Sequence, residues 1–382
     1  MLFAVDRPFR ETALAPADLR NVGEARLFER APLMRILITA DPEIEVPPRL
    51  YGGIERIVDG LVRRLRAGGH QVCLVAKPGS QCEADAFHAW PGASSLSRMD
   101  TIANTWTLWK AVRAFKPGVI HSFSRIAYLT PLLRGSIPIV MSFQRDPTQR
   151  TVGMAVRLAA PEVLRFTGCS DYIAAVGRRA GGDWQGIPNF FEVDALKFSP
   201  AVAADAPLCF LSRVESIKGA HWAIEIARRT GHRLVIAGNH AESGHEGDYW
   251  RKEIEPWIGR DGIEYVGPVD DAQKNKVLGE ARAMVVPIQW NEPFGIVFAE
   301  ALACGTPVIS CPRGSLPEIV RQGVDGFLIK SIEEGCEAVG KLDTIDRAGC
   351  RRRAEQEYAP EVVVSRYYDL YERARAALAA RR

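Results

Sequence analysis

The stretch "WNEPFGIVFAEALACGTPVIS" (290–310) sets two glutamates, Glu292 and Glu300, eight residues apart around Pro-Phe-Gly, just ahead of a short apolar run. A carboxylate is costly to bury without partners. Two on one approach to a buried helix imply that something outside the chain needs acceptors there. The pattern predicts a helix from about Ile296 to Cys304, with Gly305 at the left-handed cap position and Pro307 where a helix cannot continue. The first N–H groups of that helix lack internal partners and favour an anion such as a diphosphate. Glu300 stands one turn inside, and Glu292 approaches from the loop. Amides that suit phosphate, beside carboxylates that suit hydroxyls, describe a nucleotide sugar. Hydrogen bonds to charged groups contribute roughly 1.5–3 kcal/mol each, so two such contacts are enough to dominate recognition.

Outward from this stretch, short apolar strands alternate with helical spacing. From Met34 the chain reads "RILITA", a helix over 52–70 carrying Ile54, Ile57, Val58, Leu61, Val62 and Leu65, then "QVCLVAK". A helix at about 100–115, "GVIHSF", "IPIVMSF" and "RFTGCS" follow. After a stretch with little period (186–207), the alternation restarts. Strands at "LCFLSRV", "RLVIAG", "IEYVGPV", "AMVVPI", "PVISC" and "GFLIK" enclose helices at "GAHWAIEIARRT", "DDAQKNKVLGEA" and "FGIVFAEALAC". Such alternation predicts parallel sheets covered on both faces, with ligands outside the carboxyl ends of the strands. The expected divisions are a flexible leader (1–33, with Met34 as a candidate natural start), a first Rossmann-like domain (34–190), a linker (191–207), a second Rossmann-like domain (208–358) and an amphipathic tail helix (359–382).

The 382 residues suit two domains, and 47% hydrophobic with 25% charged residues is ordinary globular composition. A net charge of +3 is too small to argue for nucleic acid. No apolar run approaches the roughly 18–20 residues of a membrane span, and no basic start with an apolar core marks a secretory signal. Eight scattered cysteines without a C-x-x-C pair read as reduced thiols in a cytoplasmic protein. Arg63, Arg64 and Arg66 on the first helix offer weak attachment to the inner face of a membrane.

"EPFGIVFAEALACGTPVI" and "GSLPEIVRQGVDGFLI" (314–329) closely resemble the E-x7-E region of the retaining glycosyltransferases of family 4. The resemblance implies the GT-B fold: two Rossmann-like doubly wound domains facing a central cleft. It implies that Glu300 binds the ribose hydroxyls and Glu292 contacts the transferred sugar, with Phe294, Gly295, Ile296 and Val297 supplying the donor loop. "LSRVESIKGAHWAIEIA" (211–227) matches a second family segment, which places Arg213 and Lys218 on the leaving diphosphate. Gly52-Gly53 matches the family's Gly-rich loop, with Glu55 as its support, and Gly238 follows a strand where the donor approaches. The chain departs from the family at "GVIHSFSRIAYLTP" (118–131). His121 fits the first position of an H-x-H pattern, but Phe123 replaces the second histidine, so His121 reads either as a structural histidine or as a catalytic candidate. Ser122, Arg125, Gln144 and Arg145 are then the acceptor-side candidates.

Other readings are weaker. His240, His245, Glu242, Glu246 and Asp248 read as a solvated loop rather than a metal site, and Trp106 and Trp109 as packing residues. No D-x-D triplet suggests a metal-bridged diphosphate, so no metal or cofactor is expected, and a UDP-sugar is favoured over a GDP-sugar as donor. The rivals are a nucleotide-sugar epimerase of the same fold, a catalytically inactive sugar-nucleotide-binding relative, and a pyridoxal-phosphate phosphorylase using Lys218.

Overall fold

The computed structural model describes residues 32–49 and 52–381. The expected leader (up to residue 31), and Leu50 and Tyr51 of the Gly-rich loop, lie outside the described residues.

The first half builds a seven-stranded parallel sheet in the order β3-β2-β1-β4-β5-β6-β7. Its strands are β1 (Arg35–Thr39), β2 (Gln71–Ala76), β3 (Ala86–Ala89), β4 (Val119–Ser122), β5 (Ile139–Phe143), β6 (Leu164–Gly168) and β7 (Asp183–Gly186). Their helices are α1 (Gly53–Ala67), α2 (Arg98–Phe115), α3 (Gln149–Leu158) and α4 (Asp171–Arg178). Ile36, Leu37, Ile38, Val72, Cys73 and Leu74 are fully buried, as strands covered on both faces require. The apolar stripe of α1 (Ile57, Val58, Leu61, Val62, Leu65) packs on one face, and Leu108, Ala111 and Val112 of α2 on the other.

The second half builds a six-stranded parallel sheet in the order β10-β9-β8-β11-β12-β13. It comprises β8 (Leu208–Leu211), β9 (Leu234–Ala237), β10 (Ile263–Gly267), β11 (Ala283–Val286), β12 (Val308–Ser310) and β13 (Gly326–Leu328). Between and after them lie α5 (Ala220–Thr230), α6 (Gly244–Tyr249), α7 (Asp271–Glu280), α8 (Ile296–Ala303), α9 (Leu316–Ile319), α10 (Ile332–Gly340) and α11 (Arg347–Tyr358). The final helix, α12 (Pro360–Ala380), leaves this unit. Its Val363, Val364, Tyr367, Leu370 and Tyr371 complete the core of the first sheet beside α1.

Two sequence readings need correction. The stretch 238–250, read as a solvated loop, becomes α6, which continues into a wide turn at Trp250–Ile254. His240 stacks on Trp250 at 3.9 Å between ring centroids, and that contact fixes the segment. Trp106 and Trp109, read as packing residues, stack on each other at 4.7 Å, with Trp106 54% exposed at the surface. Arg63, Arg64 and Arg66 are not a free cationic face. Arg63 pairs with Asp59 at 2.9 Å, Arg64 with Glu192 at 2.6 Å, and Arg66 with Asp85 at 3.0 Å. Among the described residues no helix is long and apolar enough to cross a membrane. All eight cysteines are free thiols.

Candidate active site

In the second sheet the strand order reverses between β8 and β11, so the loops after these two strands diverge and leave a crevice at their carboxyl ends. Both signature segments lie there. The loop after β8 carries Arg213 and Lys218, and the loop after β11 carries Trp290, Glu292 and Gly295. The Gln289 N–H donates to the Ile217 carbonyl at 2.7 Å and ties the loops together. Gly219, between Lys218 and α5, holds φ +76°, and a Cβ there would meet the Pro287 carbonyl oxygen at 2.2 Å. Only glycine allows this turn so close to the neighbouring backbone.

Lys218 donates to the Glu292 carboxylate at 2.6 Å, and the Trp290 indole N–H donates to the same oxygen at 2.9 Å. The ammonium also lies 4.9 Å from the centre of the Trp290 ring. Both ends of this pair are largely buried, at 10% and 12% side-chain exposure, so the contact is short and weakly screened. Arg213 extends toward solvent and pairs with Glu215 at 2.6 Å. Lys218 and Arg213 thus sit on one loop with different environments, one set against a carboxylate and the other half-exposed.

α8 begins at Ile296 as the spacing predicted. Its cap residue, Gly295, has φ +76° and no side chain to bond the first amides. One turn in, Glu300 is buried and accepts from Lys274 of α7 at 2.7 Å. Lys274 also pairs with Asp271 at 3.2 Å, and Asp271 lies 3.6 Å from Arg56 of the first domain. Burial pushes the Glu300 carboxyl up, and Lys274 offsets part of that. For Lys274 burial acts downward, but Glu300 and Asp271 outweigh it and raise the ammonium. The sequence reading missed Lys274, Asp271, Arg56 and Trp290. Only the Asp271/Lys274 spacing, three residues apart on a polar helix, was a local signal for any of them.

Other expected groups stand differently. The Phe294 side chain is buried and meets Tyr358 edge-on at 5.7 Å, so it packs rather than faces the crevice. Ile296 and Val297 are half-buried at the start of α8. Gly238 follows directly after β9, and its carbonyl accepts from the Tyr265 hydroxyl at 2.8 Å. Gly52 is packed against Pro48 and the buried Glu55, whereas Gly53 opens onto free space.

The structure places His121 against a catalytic role. It is fully buried, with Nδ1 on Tyr371 Oη at 2.5 Å and Nε2 on Ser142 Oγ at 2.6 Å. Burial lowers its pKa to about 3, so the imidazole stays neutral. Phe123 lies over it at 4.3 Å and is itself buried. Ser122 is also buried, within a hydroxyl chain with Thr39 and Ser124 at 2.9 and 3.1 Å. Arg125, Gln144 and Arg145 do lie at the carboxyl edge of the first sheet, after β4 and β5.

The halves meet at this level. Ser170 Oγ donates to the Pro293 carbonyl at 2.6 Å, and Glu318 accepts from the Asp171 and Tyr172 amides at 2.8 and 2.7 Å. A surface hollow of about 470 Å³ beside Gly118, Pro138 and Arg375 lies at the amino ends of β4 and β5 and holds none of these groups.

Residues 51–194 match Glycosyltransferase Family 4, and residues 196–344 match Glycosyl transferases group 1. The chain belongs to the family 4 glycosyltransferases. AviGT4, a glycosyltransferase involved in avilamycin A biosynthesis, shares 23% identity and superposes with a TM-score of 0.65 over 90% of this chain and 98% of its own. Anabaena Alr3699/HepE, solved in complex with UDP-glucose, shares 17% identity with a TM-score of 0.67 over 89% and 100%. These similarities establish the GT-B fold of this family 4 member. A D-inositol 3-phosphate glycosyltransferase from Thermobifida fusca is 27% identical over 251 residues, 58% of this chain and 54% of that protein. Matches to the curated relatives span from about a quarter to about half of their lengths.

Proposed function

We propose that the protein transfers a hexose from a UDP-sugar to a hydroxyl acceptor, with retention at the anomeric carbon. The observation that carries this reading is the pair of buried carboxylate–lysine contacts, Lys218–Glu292 and Lys274–Glu300, flanking the uncapped start of α8 at a strand-order reversal. That layout offers hydroxyl acceptors on either side of an anion-binding helix end. The UDP-glucose complex of HepE, on the same fold, supports a sugar nucleotide as the ligand.

In this reading Arg213, Lys218 and the first amides of α8 neutralise the diphosphate. Glu300 holds the ribose, and Glu292, fixed by Lys218 and Trp290, orients the sugar. The bond between the anomeric carbon and the leaving phosphate oxygen breaks. The acceptor oxygen bonds to that carbon on the same face, and its proton passes to the departing phosphate. Catalysis is then positioning plus stabilisation of leaving-group charge. Incubation with UDP-, GDP- and ADP-sugars should release UDP, with the anomeric configuration kept in the product by NMR. An inverted product removes the retaining assignment. Wild-type release by an Arg213→Ala, Lys218→Ala double variant removes the site.

A further inference from the structure

The first sheet also reverses its strand order, between β1 and β4, which opens a second crevice on the acceptor side of the molecule. Asp41 stands there, two residues beyond the end of β1. Its Oδ1 is buried and has no hydrogen-bond partner among the described residues. The Nε2 of Gln144, just past the end of β5, is buried and unpartnered in the same way. The neighbouring Arg145 reaches across this edge, its guanidinium 3.9 Å from the other Asp41 oxygen. Buried polar groups are nearly always satisfied, so an orphaned acceptor and an orphaned donor on one sheet edge call for a common explanation.

We infer that Asp41 and Gln144 form an acceptor subsite for a hydroxyl-rich, carbohydrate-type unit, in which one hydroxyl donates to Asp41 and another accepts from Gln144. This inference rests on the transferase reading and names its acceptor class. β1 and β5 are separated by β4, so their axes lie about 10 Å apart, a span that one monosaccharide ring with its exocyclic hydroxyls suits. Neutral hydroxyls suit the site better than a bare anion or cation, since Glu43 and Glu55 oppose Arg125 and Arg145 around Asp41. Burial and the two glutamates raise the Asp41 carboxyl to about 7, outweighing the opposing pull of Arg145 and Arg125.

The test is saturation-transfer NMR and titration with methyl glucosides, galactosides and mannosides, run with and without UDP. At least one glycoside should bind the wild type. Asp41→Ala and Gln144→Leu should each weaken it tenfold or more, Asp41→Asn should weaken it less than Asp41→Ala, and UDP affinity should stay within twofold. The subsite is overturned if no glycoside binds, or if both variants, still folded by circular dichroism, bind as the wild type does. Loss of UDP binding in the wild type, with glycoside binding kept, strikes the donor reading alone.

Discussion

Single residues separate the donor site from its supports. Glu300→Gln should weaken UDP binding by one to two orders of magnitude, the loss of a charge-assisted contact worth roughly 1.5–3 kcal/mol. Titration of Glu300→Gln beside Lys274→Met tells ribose binding from ion-pair support. If only the lysine change matters, Glu300 is a buttress. Asp41 makes a pH prediction. Its folded pKa, raised to about 7, lies above the ordinary carboxylate value, so the folded state holds the proton more tightly than the unfolded state. Stability from this group is complete below about pH 4 and is lost as pH rises through 7. Melting temperatures across pH 4–8 should therefore show Asp41→Asn gaining on the wild type as pH rises, by an amount on the order of 3 kcal/mol at the top. A constant offset would contradict the burial argument. The E-x7-E glutamates were legible because they share one short helix with its loop. Lys274 was not, since its partner is 26 residues away and its own helix shows only a narrow apolar face at Val277 and Leu278. Asp41 was missed for a related reason: only folding shows that its oxygen lacks a partner.

At the scale of elements, alternation carried the reading. Fully buried parallel strands are continuous apolar runs, and α1 shows its stripe plainly, so both sheets could be seen before folding. β3 and β7 escaped because they are edge strands of four residues with half-exposed patterns and little apolar signal. α6 escaped because its helix is held by the His240–Trp250 stack rather than by its own spacing. The turn into α5 gives a direct check. Gly219→Ala should destabilise the second domain by at least 1–3 kcal/mol, because left-handed backbone and contact with the Pro287 carbonyl combine. Denaturant unfolding measures it, and a neutral result would mean that this loop is not held as described.

The whole molecule is joined by few, specific contacts. α12 returns to the first sheet and supplies Tyr371 to His121, 250 residues earlier, so no local pattern shows what holds that histidine in the core. His121→Leu should cost about 1–3 kcal/mol of stability by removing the partner of the buried Tyr371 hydroxyl and one of the two partners of Ser142, which keeps Thr167, with UDP affinity unchanged. A large loss of donor binding would restore His121 to the active site. The measurement that bears most directly on the central claim is calorimetric titration of the intact protein with UDP, GDP and ADP, repeated on Arg213→Ala. The proposed function predicts that UDP binds and that Arg213→Ala abolishes or strongly weakens it. Equal binding of UDP by wild type and variant, or no binding of any nucleotide, would contradict a donor site between β8 and β11.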